Sequence, residues 1–362
     1  MAAFGLLIPF HVGMLYVSWS YPLKSPRLVP ALEWLLMLST PWRLALVFLV
    51  AGVASRYLIV KLGPGAFARD RLRRLLPVIL FGMLVVNAPQ TWIVALAHGM
   101  TDADFWHFWG AYVRADQSVL KPPGMAMPRW DHIWFLLYLL PYGLLFALAW
   151  KLRLRLPRVP HGVLLTLPAL WLVLTGFLQE RVWPRTDNPF NDWGAHLEWA
   201  GLVLSGVMLA ARPEAWRAME ARRGTLALLA ALLGAGLLAD HALWLDGKLV
   251  PPLSWISYDT LAGLYGWATI LALCGFAARY LNRPSATLTY FNTAILPIYV
   301  LHQPIMFAAA YMLFPLQLPL ALEAGLLIVA TMGGSLGLYH LAIRPFLVPR
   351  FLFGLKARLG PA

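Results

Sequence analysis

Ten runs of mostly apolar residues, each near the length of a membrane span, follow one another with only short connections. They fall at 1–19, 41–60, 75–98, 132–150, 162–178, 197–211, 226–244, 260–278, 288–314 and 318–343. A helix rises 1.5 Å per residue, so roughly 20 apolar residues cross the hydrocarbon of a bilayer. Lipid offers the backbone no hydrogen-bond partner, which restricts spanning structure to helices and closed barrels. These runs lack the period-two alternation of barrel strands. The expectation is an all-α fold, a polytopic membrane bundle of about ten transmembrane helices over 1–349, with a short basic tail at 350–362. Charged residues make up only 12% of the chain, about half the share usual in soluble domains, which leaves no room for a large soluble domain. The opening run reads as a retained helix and not a cleaved signal peptide. No positive region precedes it, and no small-residue cleavage site stands out before Trp19 and Tyr21.

A net charge of +13 would suit a nucleic-acid binder if the basic residues formed a patch, but they alternate by connection instead. One alternate set holds 20 of the 29 Lys and Arg: Arg56 and Lys61 to Arg74, Lys151 to Arg158, Arg212 to Arg223, Arg279 with Arg283, and Arg344 to Arg358. Of the 16 acidic residues only Asp70, Glu214 and Glu220 share that side. The positive-inside rule then makes the basic loops and both termini cytoplasmic. The charge is an orientation signal, the expected partner surface is the lipid bilayer, and no nucleic-acid partner is expected. The single cysteine, Cys274, lies in an apolar run and excludes an intramolecular disulfide and most cysteine-based metal sites.

Ionisable groups at membrane depth are costly, which makes each a functional candidate. His11, in Ile8-Pro9-Phe10-His11-Val12, interrupts an apolar helix, and its near-neutral intrinsic pKa suits it to take a proton from a hydroxyl. His302 is equally deep, in Tyr299-Val300-Leu301-His302-Gln303-Pro304, where Pro304 frees a backbone carbonyl that needs a partner. Arg71 and Arg74 lie three apart in Arg69-Asp70-Arg71-Leu72-Arg73-Arg74, on one helix face at the cytoplasmic mouth. Guanidinium forks there suit phosphates, although topology alone also asks for arginines. On the external side, His132 with Trp134 and Asp192 with Trp193 and His196 open two spans. They are interfacial anchors or a site for a sugar acceptor, held by aromatic stacking and hydrogen bonds.

Gly333-Gly334-Ser335-Leu336-Gly337 matches the pattern of a nucleophile elbow but sits inside a spanning run, where small residues more simply permit close helix packing. A P-loop, an H-E-x-x-H zinc site and a dinucleotide fingerprint placed after a strand are all lacking, which argues against an ATPase, a metalloprotease or a dinucleotide enzyme.

Taken in order, the first-helix histidine, the Arg-x-x-Arg run to Pro77, His132-Ile133-Trp134-Phe135-Leu136, and Tyr299 to Pro304 resemble the acyltransferase family 3 membrane proteins across nearly the whole chain. The resemblance implies a multi-pass protein of the bacterial inner membrane that uses an acyl-CoA donor on the cytoplasmic side as co-substrate, with no tightly bound cofactor and no metal. The acceptor would be a periplasmic glucan or other glycan, and the acyl group would be succinyl or similar. His11 would be the catalytic base, with His302 beside it. Arg71 and Arg74 would bind the donor, and His132, Trp134, Asp192, Trp193 and His196 the acceptor. The family also places an arginine eleven positions before the histidine, which falls immediately upstream of Met1. Either the natural first helix begins earlier and the chain from Met1 is weakly active without it, which is the expectation, or this protein dispenses with that arginine. The rival reading is a transporter or flippase of a lipid or sugar, whose paths also use buried histidines and broken helices. It predicts internal inverted repeats, and none is detected.

Overall fold

Leu, Val, Ala and Phe fill long stretches between turn residues, and the chain forms helices wherever they do. The computed structural model describes residues 5–154, 157 and 159–356, and it contains no strand among them. The helices are α1 (Leu7–Met14), α2 (Ala31–Leu62), α3 (Pro64–Phe81), α4 (Asn87–Ala97), α5 (Phe105–Val113), α6 (Trp134–Lys151), α7 (His161–Arg181), α8 (Trp193–Leu209), α9 (Pro213–Ala221), α10 (Arg223–Leu245), α11 (Leu253–Tyr280), α12 (Ala286–Leu313), α13 (Leu320–Leu338) and α14 (Leu347–Leu352). Among the described residues, eight helical stretches are long and apolar enough to cross a membrane, and nine if the bent pair α8 and α9 counts as one span. The chain is therefore a multi-pass helical membrane protein.

Two of the runs form short helices that end where the chain turns sharply aside. The first ends as helix at Met14, where the chain doubles back: Ser25 N–H donates to the Leu15 carbonyl at 2.8 Å and Val29 N–H to the Tyr16 carbonyl at 2.6 Å. Lys24 Nζ donates to the Met14 and Val17 carbonyls at 2.7 and 2.6 Å, so the orphaned end of the helix is capped by a lysine. Met1 to Phe4, Arg155 and Arg158 of one basic loop, and 357–362 of the tail lie outside the described residues. The second short run is α8, of 17 residues, after which the chain bends by 96° into α9. Pro213 opens α9, and its ring keeps Arg212 out of helical geometry, with φ −129° and ψ 80°.

The chain divides into two compact units. One comprises Met1–Glu33, Asp70–Leu137 and Ser285–Ala362, and the other Trp34–Arg69 and Tyr138–Pro284. In the second unit, small residues let helices touch backbone to backbone. A Cβ on Gly206 would fall 2.0 Å from the Leu49 carbonyl oxygen, and one on Gly52 would fall 2.0 Å from that of Val203. Helices α2 and α8 cross at this pair of glycines, with Phe48 stacked on Trp199 at 4.6 Å beside them. Close approach of this kind replaces the hydrophobic drive that lipid removes. Helices α7 and α11 are joined by an ion pair from Arg181 to Asp259 at 2.8 Å.

In the first unit, α12 packs along α13, α4 and α1. Gly333 to Gly337 lie within α13, where Gly334 faces Ile305 of α12 while Gly333 and Gly337 face open space. Between α3 and α4 the helix widens into a π-turn over Gly82–Val86. The carbonyls it leaves without helical donors are taken by α5: Tyr112 Oη donates to Met83 O at 2.9 Å and Trp109 Nε1 to Leu84 O at 2.8 Å. Burial pushes the Tyr112 phenol up to about 12, which keeps its proton in place for that bond.

Candidate active site

Pro304 has no N–H, so the carbonyl four residues earlier, that of Val300, lacks its helical donor. His132 supplies one, Nε2 to Val300 O at 2.9 Å. The contact is reciprocal: the Tyr299 hydroxyl donates to the His132 carbonyl. The backbone partner that the proline was expected to require is thus a second histidine. His132 is brought onto α12, 5.2 Å from His302 between ring centroids. His11, from α1, lies 4.9 Å from His302 on the same measure. Three histidines from three chain segments, all in the first unit, therefore meet around His302, which is fully buried.

The backbone sets their tautomers. A carbonyl only accepts, so a ring nitrogen facing one carries the proton. His11 presents Nδ1 to Leu7 O at 2.8 Å and His302 presents Nδ1 to Tyr299 O at 2.6 Å, which leaves the lone pair of each on Nε2. His132 is reversed. Its Nε2 is committed to Val300, and its lone pair is on Nδ1, which is buried without a partner among the described residues. Each of the three rings thus has one nitrogen committed to a backbone carbonyl, an arrangement that can serve general-base chemistry on a hydroxyl. Among the described residues no group of His, Cys, Asp or Glu is arranged to hold a metal ion.

The segment leading into His132 is held by residues that a search for ionisable groups passed over. Asp131, at φ +29°, is in a backbone region that L-residues rarely adopt. It is kept there by Arg129 Nε at 2.6 Å and Gln90 Nε2 at 3.1 Å. Asn87 Nδ2 donates to the Arg129 carbonyl at 3.0 Å. Asn87 and Gln90 are both buried, within the apolar run 75–98. Two carboxamides at membrane depth were the signal. Elsewhere in this unit, the buried carboxylate of Glu323 receives the Tyr16 hydroxyl at 2.9 Å and Arg27 Nη2 at 2.8 Å, tying the segment after α1 to α13.

Arg71 and Arg74 lie on α3 in the first unit. Arg71 pairs with Asp70 at 2.9 Å, and Arg74 Nε donates to the Gly354 carbonyl at 3.1 Å. The tail reaches this helix because Arg350, itself buried, binds the carbonyls of Arg344 and Lys356. Residues on both sides of position 350 therefore pack together.

The residues expected to take the acceptor divide between the units. His132 and Trp134 belong to the first, and Asp192, Trp193 and His196 to the second. Asp192 is buried, caps α8 through the Ala195 N–H, and accepts from Tyr138 Oη at 3.0 Å. His196 is bound on both ring nitrogens, to Tyr142 Oη and to Pro189 O, each at 2.8 Å. Trp193 is 63% exposed and lines a groove of about 730 Å³ with Trp171, Trp183, His196 and Leu204.

A bundle of spanning helices with a cluster of three histidines in one unit gives the class, an integral membrane protein with polar groups gathered at membrane depth. The family model described as an acyltransferase domain matches residues 1–340, and the chain belongs to acyltransferase family 3. It is a membrane acyltransferase. No curated protein and no solved structure matches the chain.

Proposed function

We propose that the enzyme moves an acyl group, such as succinyl, from an acyl-CoA-type donor on the cytoplasmic side to a hydroxyl of a periplasmic glucan or other glycan. It would do so from the bacterial inner membrane with both termini cytoplasmic. The observation that carries the reading is the cluster of His11, His302 and His132, whose backbone bonds leave a lone pair on each ring. His11 Nε2 takes the acceptor's hydroxyl proton as the oxygen attacks the thioester carbonyl. The new C–O bond forms, the C–S bond breaks, and the imidazolium returns its proton to the leaving thiolate. His302 has given its N–H to the Tyr299 carbonyl, so its part is to orient His11 or share its proton, and not to donate to an oxyanion.

Arg71 and Arg74 are assigned to the donor's phosphates, Arg74 with its Nε already fixed by Gly354. The succinyl and glucan choices rest on Ile8-Pro9-Phe10-His11 and on Asp192-Trp193 with His196, which most resemble glucan biosynthesis protein C, associated with succinylation of periplasmic glucans. Trp193 and Trp171, lining an open groove, offer faces on which sugar rings stack. Mass spectrometry of cell-envelope glycans, compared between cells with and without the gene, tests the reading. The expected result is loss of one ester-linked acyl substituent from the glycans of the deletion strain and its return on complementation. An identical acylation pattern in both strains would overturn it.

A further inference from the structure

Resting on the reading of the chain as a carbohydrate acyltransferase, we infer that Asn87, Gln90 and His132 form a subsite that receives the acceptor's hydroxyl groups. The argument is one of hydrogen-bond polarity. Asn87 Nδ2 faces the carbonyl of Arg129 and Gln90 Nε2 faces the carboxylate of Asp131, two partners that only accept. Neither carboxamide can be turned over without setting oxygen against oxygen. Asn87 Oδ1 and Gln90 Oε1 are left as acceptors, and both are buried without a partner among the described residues. His132 Nδ1, one residue beyond Asp131, is a third. Exposure is 0% for Asn87, 1% for Gln90 and 7% for His132, so an unmade hydrogen bond there is not replaced by bulk water.

Three acceptors in one cluster call for a ligand that brings donors. A metal ion is disfavoured, because the carboxylate next to them, Asp131, is already bound by the Arg129 guanidinium at 2.6 Å. A polyol, whose every hydroxyl can donate, fits. The helix is shaped for the purpose. Asn87 follows directly on the π-turn at Gly82–Val86, and such turns are frequent at functional sites because they re-aim the next residues. Gln90 lies three residues further on, on the same side of α4. With His132 in the subsite and its ring against His302, a bound hydroxyl is held beside the histidine cluster.

The full-length enzyme in detergent is titrated with a soluble glucan oligosaccharide by calorimetry. Acyl transfer from succinyl-CoA to that oligosaccharide and acceptor-independent hydrolysis of succinyl-CoA are measured in parallel. Gln90→Lys keeps a donor for Asp131 but removes the acceptor oxygen. Binding should weaken and the acceptor KM rise about tenfold, more than any change in succinyl-CoA hydrolysis. Gln90→Glu, which in its protonated form restores both a donor and an acceptor, should bind nearly as the parent does. If Gln90 only braces Asp131, Gln90→Lys would bind and transfer normally, and that result overturns the proposal. Should Gln90→Lys fail to fold, Gln90→Met is expected to show the same loss of oligosaccharide binding, and normal binding by it would overturn the proposal equally. A parent enzyme that binds no oligosaccharide also overturns it. A parent that binds the oligosaccharide but transfers nothing from any acyl thioester refutes the acyl-transfer reading and leaves the subsite standing.

Discussion

Replacing His11 with glutamine should lower acyl transfer by roughly 10²- to 10⁴-fold while the protein still inserts and folds. Glutamine reaches a similar distance and keeps hydrogen-bonding capacity, but it cannot take up a proton as imidazole does. His11 is partly buried in the last turn of an eight-residue helix, and its Nδ1 bond is to its own helix, at Leu7. Glutamine fills much of the same space beside Phe10, Tyr21 and His302, so the fold is expected to persist. Single-turnover transfer to a glucan oligosaccharide, with thermal unfolding in parallel, separates the chemical effect from a structural one. Transfer within a few-fold of the parent in a folded His11→Gln protein would remove His11 from the chemistry.

The second large effect is expected from Arg71→Lys with Arg74→Lys. Lysine preserves charge and the orientation signal of the loop but loses the planar fork that grips phosphate in two places. Hydrogen bonds to charged groups contribute about 1.5–3 kcal/mol each, so losing one raises the donor KM by roughly 10- to 100-fold with little change in acceptor KM. The geometry offers a check on the individual residues. Arg74 also braces the tail through Gly354, so Arg74→Lys alone should lower the unfolding temperature slightly, whereas Arg71→Lys, beside Asp70 on the same helix, should not. A double variant with an unchanged donor KM would reduce both arginines to topology signals.

Much of the fold can be read from apolar run length, because a bilayer imposes one length scale on every span. The exceptions are local. Helix α1 stops at Met14 because Lys24 and the returning chain cap it, and α8 stops at Leu209 because Pro213 redirects the backbone. Neither event changes hydropathy. His11 and His302 stood out as ionisable groups in apolar runs, and the freed carbonyl behind Pro304 was foreseeable from the missing N–H. That His132 would answer it was not, since 168 residues separate the partners in sequence. Position near a span's end instead suggested an external role for His132. Asn87 and Gln90 were hidden for another reason: uncharged amides barely disturb an apolar average, yet buried they must be paired as strictly as charges. Asp192 and His196 drew notice as polar groups. The structure shows both engaged in hydrogen bonds, with Tyr138 and the cap of α8 for Asp192 and with Tyr142 and Pro189 for His196.

The central claim is transfer across the membrane from a cytoplasmic thioester to an external hydroxyl, driven by the histidine cluster. It is tested most directly in proteoliposomes with the enzyme in one known orientation, glucan oligosaccharide sealed inside against the periplasmic face, and labelled succinyl-CoA added outside. The account predicts acylated oligosaccharide in the lumen with the parent enzyme and none above background with His11→Gln. Lumenal product that forms equally with His11→Gln, or product that forms only when donor and acceptor share one side, would contradict it.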